Sequence, residues 1–375
     1  MELYLKSGYL NFNEIVVNTE IYTFIVGARG IGKTYGMIKW LLDNNISFLY
    51  LRRTKTQLEL LNSKDENMNP FTALNNDTSY SLSMKKINPQ VLGIYNSYPD
   101  PTCDGEMMLE SLPRGYGMAL STFANMRSFG SDIDFIFYDE FIPEKHAKPI
   151  REEATAFFNL IESISRNREL KGEPPIKVIC CANSDDVGCP IFMALNIVNK
   201  ALEMQEKGIE EWHDHKRHLS LIMPTGSSIA KAKQQTSLYQ LTKGSGFYSM
   251  ATENAFVYND LTNIRSVSLK DYRPVCFVGE IAVYRNKGAA KYYVTAHRSG
   301  AADEYLATDM DLKRWRRDCY NLWLAYLKNN ILFEDYKCKV LFEKYGAVII
   351  VLGIVMFTAM VAGVCVSREE EDSDD

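Results

Sequence analysis

The sequence predicts an α/β fold with a mostly parallel sheet, and three observations predict it. A short apolar run, Ile21–Val26, ends in a glycine-rich turn and leads into helix-compatible sequence from Lys33 to Asn44. A second apolar run, Ser47–Leu51, follows at once, so strand, turn, helix and strand open the chain as a βαβ unit. Two further apolar runs, Phe135–Tyr138 and Lys177–Ala182, also close on polar residues, Asp139-Glu140 and Asn183.

Between these runs, residues 62–116 are polar and rich in Asn, Ser, Pro and Tyr, and read as an insertion of irregular or hairpin structure. Gly117–Ser121 reads as one more strand. Ala154–Ser165 places Phe157, Phe158, Leu160, Ile161 and Ile164 at helical spacing. Residues 1–200 therefore form a first domain. Asn196–Trp212 reads as helix, and residues 201–245 as a linker region, polar and rich in Lys, Ser and Gly from 213 onward. Residues 246–345 give a smaller α+β domain, with apolar-alternating strands within 255–297 and a closing helix over Leu312–Leu332. Residues 346–375 are an apolar segment, read as a helix, and an acidic tail.

Composition is that of a globular chain, 46% hydrophobic and 24% charged over 375 residues. The net charge of −5 resides in residues 367–375, where one Arg stands against three Glu and three Asp. The remaining chain is neutral, so charge neither supports nor excludes DNA as a partner. Eight scattered cysteines without a Cys-x-x-Cys pair exclude a disulfide framework or zinc site and fit a reducing cytosol. The spacing of His213, His215 and His218 matches no tetrahedral metal site either. Ala347–Val366 is twenty residues without a charge, long enough to cross a bilayer core. It has two readings: a membrane-inserted helix, or a helix buried in an oligomer or against a partner.

The chemistry concentrates at the strand ends. Gly27, Ala28, Arg29, Gly30, Ile31, Gly32, Lys33 and Thr34 match G-x-x-x-x-G-K-[ST] at every fixed position, between a strand and a helix. Such a loop turns backbone N–H groups and a helix N-terminus toward phosphate, which implies ATP as the ligand. Lys33 reaches the β- and γ-phosphates and Thr34 ligates Mg²⁺. Asp139, delivered by an apolar strand, is expected to hold the Mg²⁺ shell, and Glu140 to polarise the attacking water. Asn183 ends the strand expected beside the first and is placed to sense the γ-phosphate, or is a turn residue. Arg166 and Arg168 follow the helix after the acidic pair: cations matching a helix C-terminus, or an arginine finger for a neighbouring subunit's nucleotide. Arg52-Arg53-x-Lys55 ends the second strand on the same sheet edge, as solvated charge or as a contact to nucleotide or DNA. The core reads as a RecA-like P-loop NTPase, a nucleotide hydrolase.

These strings together resemble one family, the DNA-packaging ATPases of phi29-like podophages. The resemblance rests on Val26-Gly-Ala-Arg-Gly-Ile-Gly-Lys33, Leu51-Arg-Arg53-x-Lys55, Tyr138-Asp-Glu-Phe141-Ile, Arg166-Asn-Arg-Glu169 and Val178-Ile-Cys-x-Ala-Asn183. It thins after residue 200, resumes around Tyr248–Phe256 and Thr295-Ala-His297, and covers roughly the first 345 residues. It implies a homomeric ring, a pentamer, at the portal vertex of a prohead in the host cytoplasm, driving double-stranded DNA inward at the expense of ATP. By the same resemblance Arg166 acts in trans as the finger, Arg127 is a further basic residue near the nucleotide, and the C-terminal domain is RNase H-like and docks on a structural packaging RNA. Residues 347–366 and the acidic tail lie beyond the family's usual end and favour a rival, a membrane-anchored phage assembly or secretion ATPase that does not act on DNA directly.

Overall fold

In this computed structural model, residues 1–60, 71–99, 107–125, 133–144, 146–256 and 259–346 are described. A short helix α1 (Phe12–Asn18) precedes β1 (Tyr22–Val26), the helix α2 (Lys33–Asp43) and β2 (Phe48–Arg52). The βαβ opening is thus as expected, because β1 and β2 are mainly apolar, with Thr23 and Arg52 the exceptions, and are buried on both faces apart from the half-buried Tyr22. Two short helices, α3 (Lys55–Leu60) and α4 (Thr72–Asp77), lead to the hairpin β3 (Leu82–Asn88) and β4 (Val91–Pro99). Then follow β5 (Met107–Leu109), β6 (Gly115–Ala119), β7 (Phe135–Asp139), the helix α5 (Glu153–Ser165) and β8 (Lys177–Ala182).

The expected linker is the first correction. Residues 201–245 are not a connecting region: α6 (Pro190–Leu195) and α7 (Val198–Lys207) lead into β9 (Glu211–Asp214) and β10 (Leu219–Ile222). β10 lies parallel to β1, pairing Tyr22 with Leu219 through Ile25 with Ile222, and all four of its residues are buried. The continuous helix expected over Asn196–Trp212 ends at Lys207 because Gly208 takes a left-handed conformation at its C-terminus (φ 64°). Three short helices complete this unit, α8 (Ser228–Lys233), α9 (Ser237–Leu241) and α10 (Gly246–Glu253). Its bounds are Met1–Asn259, so the boundary falls near residue 260 rather than at 200 or 245.

The sheet of this unit runs β3-β4-β6-β2-β7-β8-β1-β10-β9, with β5 on β4. From β6 to β10 every neighbour is parallel; the hairpin β3–β4 and the strand β9 are antiparallel edges. β8 therefore separates the strand before the phosphate loop from the strand carrying the acidic pair. Register then fixes the site. Val26 pairs with Ala182, Asp139 with Cys181, and Leu51 with Tyr138. Gly27, Glu140, Asn183 and Arg52 each stand at or one residue past the last pair, on the C-terminal edge where parallel sheets bind ligands.

The second unit begins at Asp260 and holds a five-stranded sheet, β14-β11-β12-β13-β15. β11 (Tyr272–Val278), β12 (Ile281–Asn286) and β13 (Tyr292–Thr295) are antiparallel; β14 (Asp303–Tyr305) joins β11 and β15 (Ile331–Phe333) joins β13 in parallel. The closing helix is broken in two, α11 (Asp309–Asp318) and α12 (Tyr320–Leu327), with Cys319 between them in a non-helical conformation. The break lets Trp315 and Trp323 meet edge to face at 5.2 Å, with Phe342 against both. The apolar segment 347–366 and Arg127 lie outside the described residues. Among the described residues no helix is long and apolar enough to cross a membrane.

Candidate active site

The loop between β1 and α2 depends on its glycines. Gly30 and Gly32 have φ of 73° and 84°, a left-handed conformation that a Cβ opposes, and Gly32 caps α2. Lys33 curls back into the loop, donating to the carbonyls of Gly27 and Ala28, each at 2.7 Å, and to Oδ1 of Asn183 at 2.9 Å. Asn183 is therefore a partner of the loop lysine across the β1–β8 pair, rather than only a turn residue. Burial lowers the Lys33 pKa to about 8, the leading effect over the attraction of Asp139.

Thr34 and Asp139 are also together. Oγ1 of Thr34 donates to Asp139, 3.0 Å from Oδ2 and 3.2 Å from Oδ1. Asp139 is buried, and its Oδ2 accepts from the Tyr50 hydroxyl at 2.9 Å and from Nη1 of Arg52 at 2.7 Å. Arg52 also donates through Nη2 to Oε2 of Glu140 at 2.5 Å. Among the described residues its own Nε is buried without a partner. Glu140 sits in the left-handed region (φ 55°), a conformation costing a non-glycine residue roughly 1–2 kcal/mol, and this turns its side chain out of the strand. It keeps solvent access yet lies low enough in the cleft that burial, ahead of the opposing Arg52 charge, raises its carboxyl pKa.

Lys33, Thr34, Asp139, Glu140 and Asn183 line one cleft of about 880 Å³, to which Tyr9 and Asn11 also contribute. A smaller cavity of about 110 Å³ opens beside it, lined by Arg53, Glu140, Asn183 and Asp185. Burial, followed by the Glu144 charge, raises the Asp185 pKa to about 6. Arg29, the variable arginine of the loop, is paired with Glu144 at 3.0 Å and lies 6.0 Å from the Phe247 ring.

The two arginines after α5 part company. Arg168 donates to the Ile133 carbonyl and to Oδ1 of Asp134, both at 2.7 Å, so it ties the segment to the start of β7. Arg166 is exposed at the end of α5, in a left-handed conformation (φ 46°). The dibasic pair divides as well: Arg52 joins the acidic cluster, while Arg53 makes a buried bidentate pair with Glu153 at 2.6 and 2.8 Å.

A sequence profile of the podovirus DNA encapsidation protein (Gp16) matches residues 4–76 and 104–316. The chain belongs to that family. The unmatched stretch between the two blocks contains the hairpin β3–β4, so the family pattern spans the sheet that carries the site and omits its edge. The rival reading as a membrane-anchored secretion ATPase is not favoured by this membership. The DNA packaging protein of Bacillus phage phi29 is 25% identical over 320 residues, covering 82% of this chain and 85% of that one. The DNA packaging protein of Bacillus phage PZA matches to the same extent. Among solved structures, "The Phi-28 gp11 DNA packaging Motor" superposes with a TM-score of 0.60 over 91% of this chain and 98% of that chain, at 18% identity. At that identity the likeness concerns the fold.

Proposed function

We propose that this chain is an ATP-driven motor subunit that moves double-stranded viral DNA into a preformed phage prohead, hydrolysing ATP at the subunit interfaces of a homomeric ring. The observation that carries the reading is the meeting of Lys33, Thr34, Asp139, Glu140 and Asn183 in one cleft of an encapsidation-family chain. The loop N–H groups and Lys33 bind the phosphates, and the arriving charge returns the buried ammonium to its fully protonated state. The residues fit Mg²⁺: a hydroxyl and a carboxylate at 3.0–3.2 Å make an oxygen pair, and magnesium in such sites takes few protein ligands. When bound, Mg²⁺ offsets charge on the phosphate oxygens. Among the described residues no group of three His, Cys, Asp or Glu competes for a metal. Glu140 orients and deprotonates the attacking water, with Arg52 fixing its carboxylate.

By the family resemblance, Arg166 completes a neighbour's site in trans, and its exposure at the end of α5 supports that role. Arg127 serves as a second basic residue near the nucleotide. DNA, the portal and a structural RNA are the partners, the ring is a pentamer, and the second unit is an RNase H-like domain. Residues 347–366 give the chain a membrane contact.

Glu140→Gln in the full chain should bind ATP like wild type and lower DNA-stimulated turnover by about 10²–10⁴-fold. Lys33→Ala should lose both. A Glu140→Gln protein that turns over near the wild-type rate sinks the assignment. Rings mixed from Arg166→Ala and Glu140→Gln subunits should regain activity; no regain in rings shown to be mixed would rule out action in trans.

A further inference from the structure

We propose that Lys233 is a nucleotide-binding residue, a second ammonium brought to the phosphate loop to meet the polyphosphate of a bound nucleoside triphosphate. The proposal deepens the nucleotide reading above and rests on it. Lys233 is the last residue of α8, in the stretch whose sequence looks like a linker. Its Nζ donates to the carbonyl of Arg29 within the loop at 3.0 Å. It also lies over Gly30: a Cβ built on that glycine would fall 1.8 Å from Nζ and 3.1 Å from Cε. The motif leaves this loop position variable. Here the glycine and the lysine are complementary, one leaving the space that the other fills.

The position is held from both sides. Ser227 caps α8, accepting from Ala230 N at 3.4 Å, and its hydroxyl donates to the Gly8 carbonyl at 2.8 Å. Asn254, just past α10, donates to the Val26 carbonyl at 2.7 Å, one residue before the loop, and to the Pro224 carbonyl at 3.2 Å. The blander account is a lysine at a helix C-terminus matching its dipole. Lys231 serves that purpose equally from an exposed position, whereas Lys233 folds back onto the loop. No carboxylate pairs with Lys233 among the described residues, although the side chain is half-buried and burial depresses its pKa. A partly desolvated cation without a counter-ion is unfavourable, and an anion arriving at the loop relieves it. An ammonium has three donors and the Arg29 carbonyl takes one.

Two measurements test this on the full chain. Lys233→Ala should weaken binding of the non-hydrolysable ATP analogue AMP-PNP about 10-fold, the effect of one charged hydrogen bond, with AMP little affected and Lys233→Arg close to wild type. In the wild-type protein, acetylation of Lys233 by acetic anhydride, read by mass spectrometry, should fall on adding Mg²⁺ and AMP-PNP and not on adding AMP. Unchanged AMP-PNP affinity in Lys233→Ala, or unchanged labelling, overturns the proposal while Lys33→Ala still loses binding. If Lys33→Ala also binds AMP-PNP normally, the nucleotide reading itself has failed.

Discussion

Arg52 and Arg53 are neighbours at the end of β2, both nearly inaccessible to water, and the regions they enter differ in kind. On the Arg53 side the charge is satisfied, although the side chain also borders the smaller cavity: both oxygens of Glu153 are used, and the pair lies beside Tyr138, whose ring packs on Phe157 at 5.3 Å. On the Arg52 side it is open. One guanidinium spans two carboxylates, its Nε lacks a partner among the described residues, and the acidic pair faces a cleft. A satisfied buried ion pair holds elements together; one with bonding capacity left over is suited to binding and chemistry. The end of the strand falls between them: Arg52 is the last residue of β2 and Arg53 the first one past it, so the two side chains enter different surroundings.

The largest stability loss should follow from opening the closed pair. Glu153→Ala leaves the Arg53 charge buried and unpaired, and urea unfolding should show a loss of about 3–5 kcal/mol. A loss below about 1 kcal/mol would erase the distinction. Arg52→Ala should cost less, about 1–2 kcal/mol, because Asp139 retains Thr34 and Tyr50 as donors and Glu140 can turn to solvent. Its turnover should nonetheless drop about 10-fold or more, since nothing then fixes Glu140. Equal stability losses in both variants, with turnover intact in Arg52→Ala, would break the comparison. The smallest effect concerns Asp185. Its folded-state pKa of about 6 lies above the unfolded value, so stability from the protonated carboxyl is present at low pH and lost as pH rises through about 6. Asp185→Asn should therefore unfold at higher urea than wild type at pH 8, by about 1 kcal/mol once the roughly 3 kcal/mol implied by the raised pKa is discounted for solvent screening, with the gap closing by pH 4. A gap independent of pH would assign the gain to something other than titration.

Much of the first unit was legible. A fixed-spacing loop between an apolar strand and a helix is a local signal, and the polar residues closing Phe135–Tyr138 and Lys177–Ala182 mark strand ends. What escaped was short or non-local. β10 is only Leu219–Ile222, set between His-rich and Pro-Gly-Ser stretches that read as loop, yet four buried residues suffice to extend a parallel sheet. The break at Cys319 is invisible because both halves keep helical spacing. The Arg52–Glu140 and Lys33–Asn183 contacts join residues 88 and 150 apart in the chain, and only the strand order brings them together. Lys233 carries no sequence signal, standing among other lysines in a polar stretch.

The strand register also bears on which genetic changes the family can accept. Glu140 and Asn183 each follow the last paired residue of their strands, and Gly27 follows the Val26–Ala182 pair. Side chains tolerate exchange one at a time, but a single codon gained or lost inside β7 or β8 would shift the rest of that strand to the opposite face. A change in β7 would take Asp139 away from the loop, and a change in β8 would displace Asn183. Length variation should be excluded from these strands in living relatives and concentrated in the β3–β4 hairpin, whose tip can lengthen or shorten without moving any residue of the cleft.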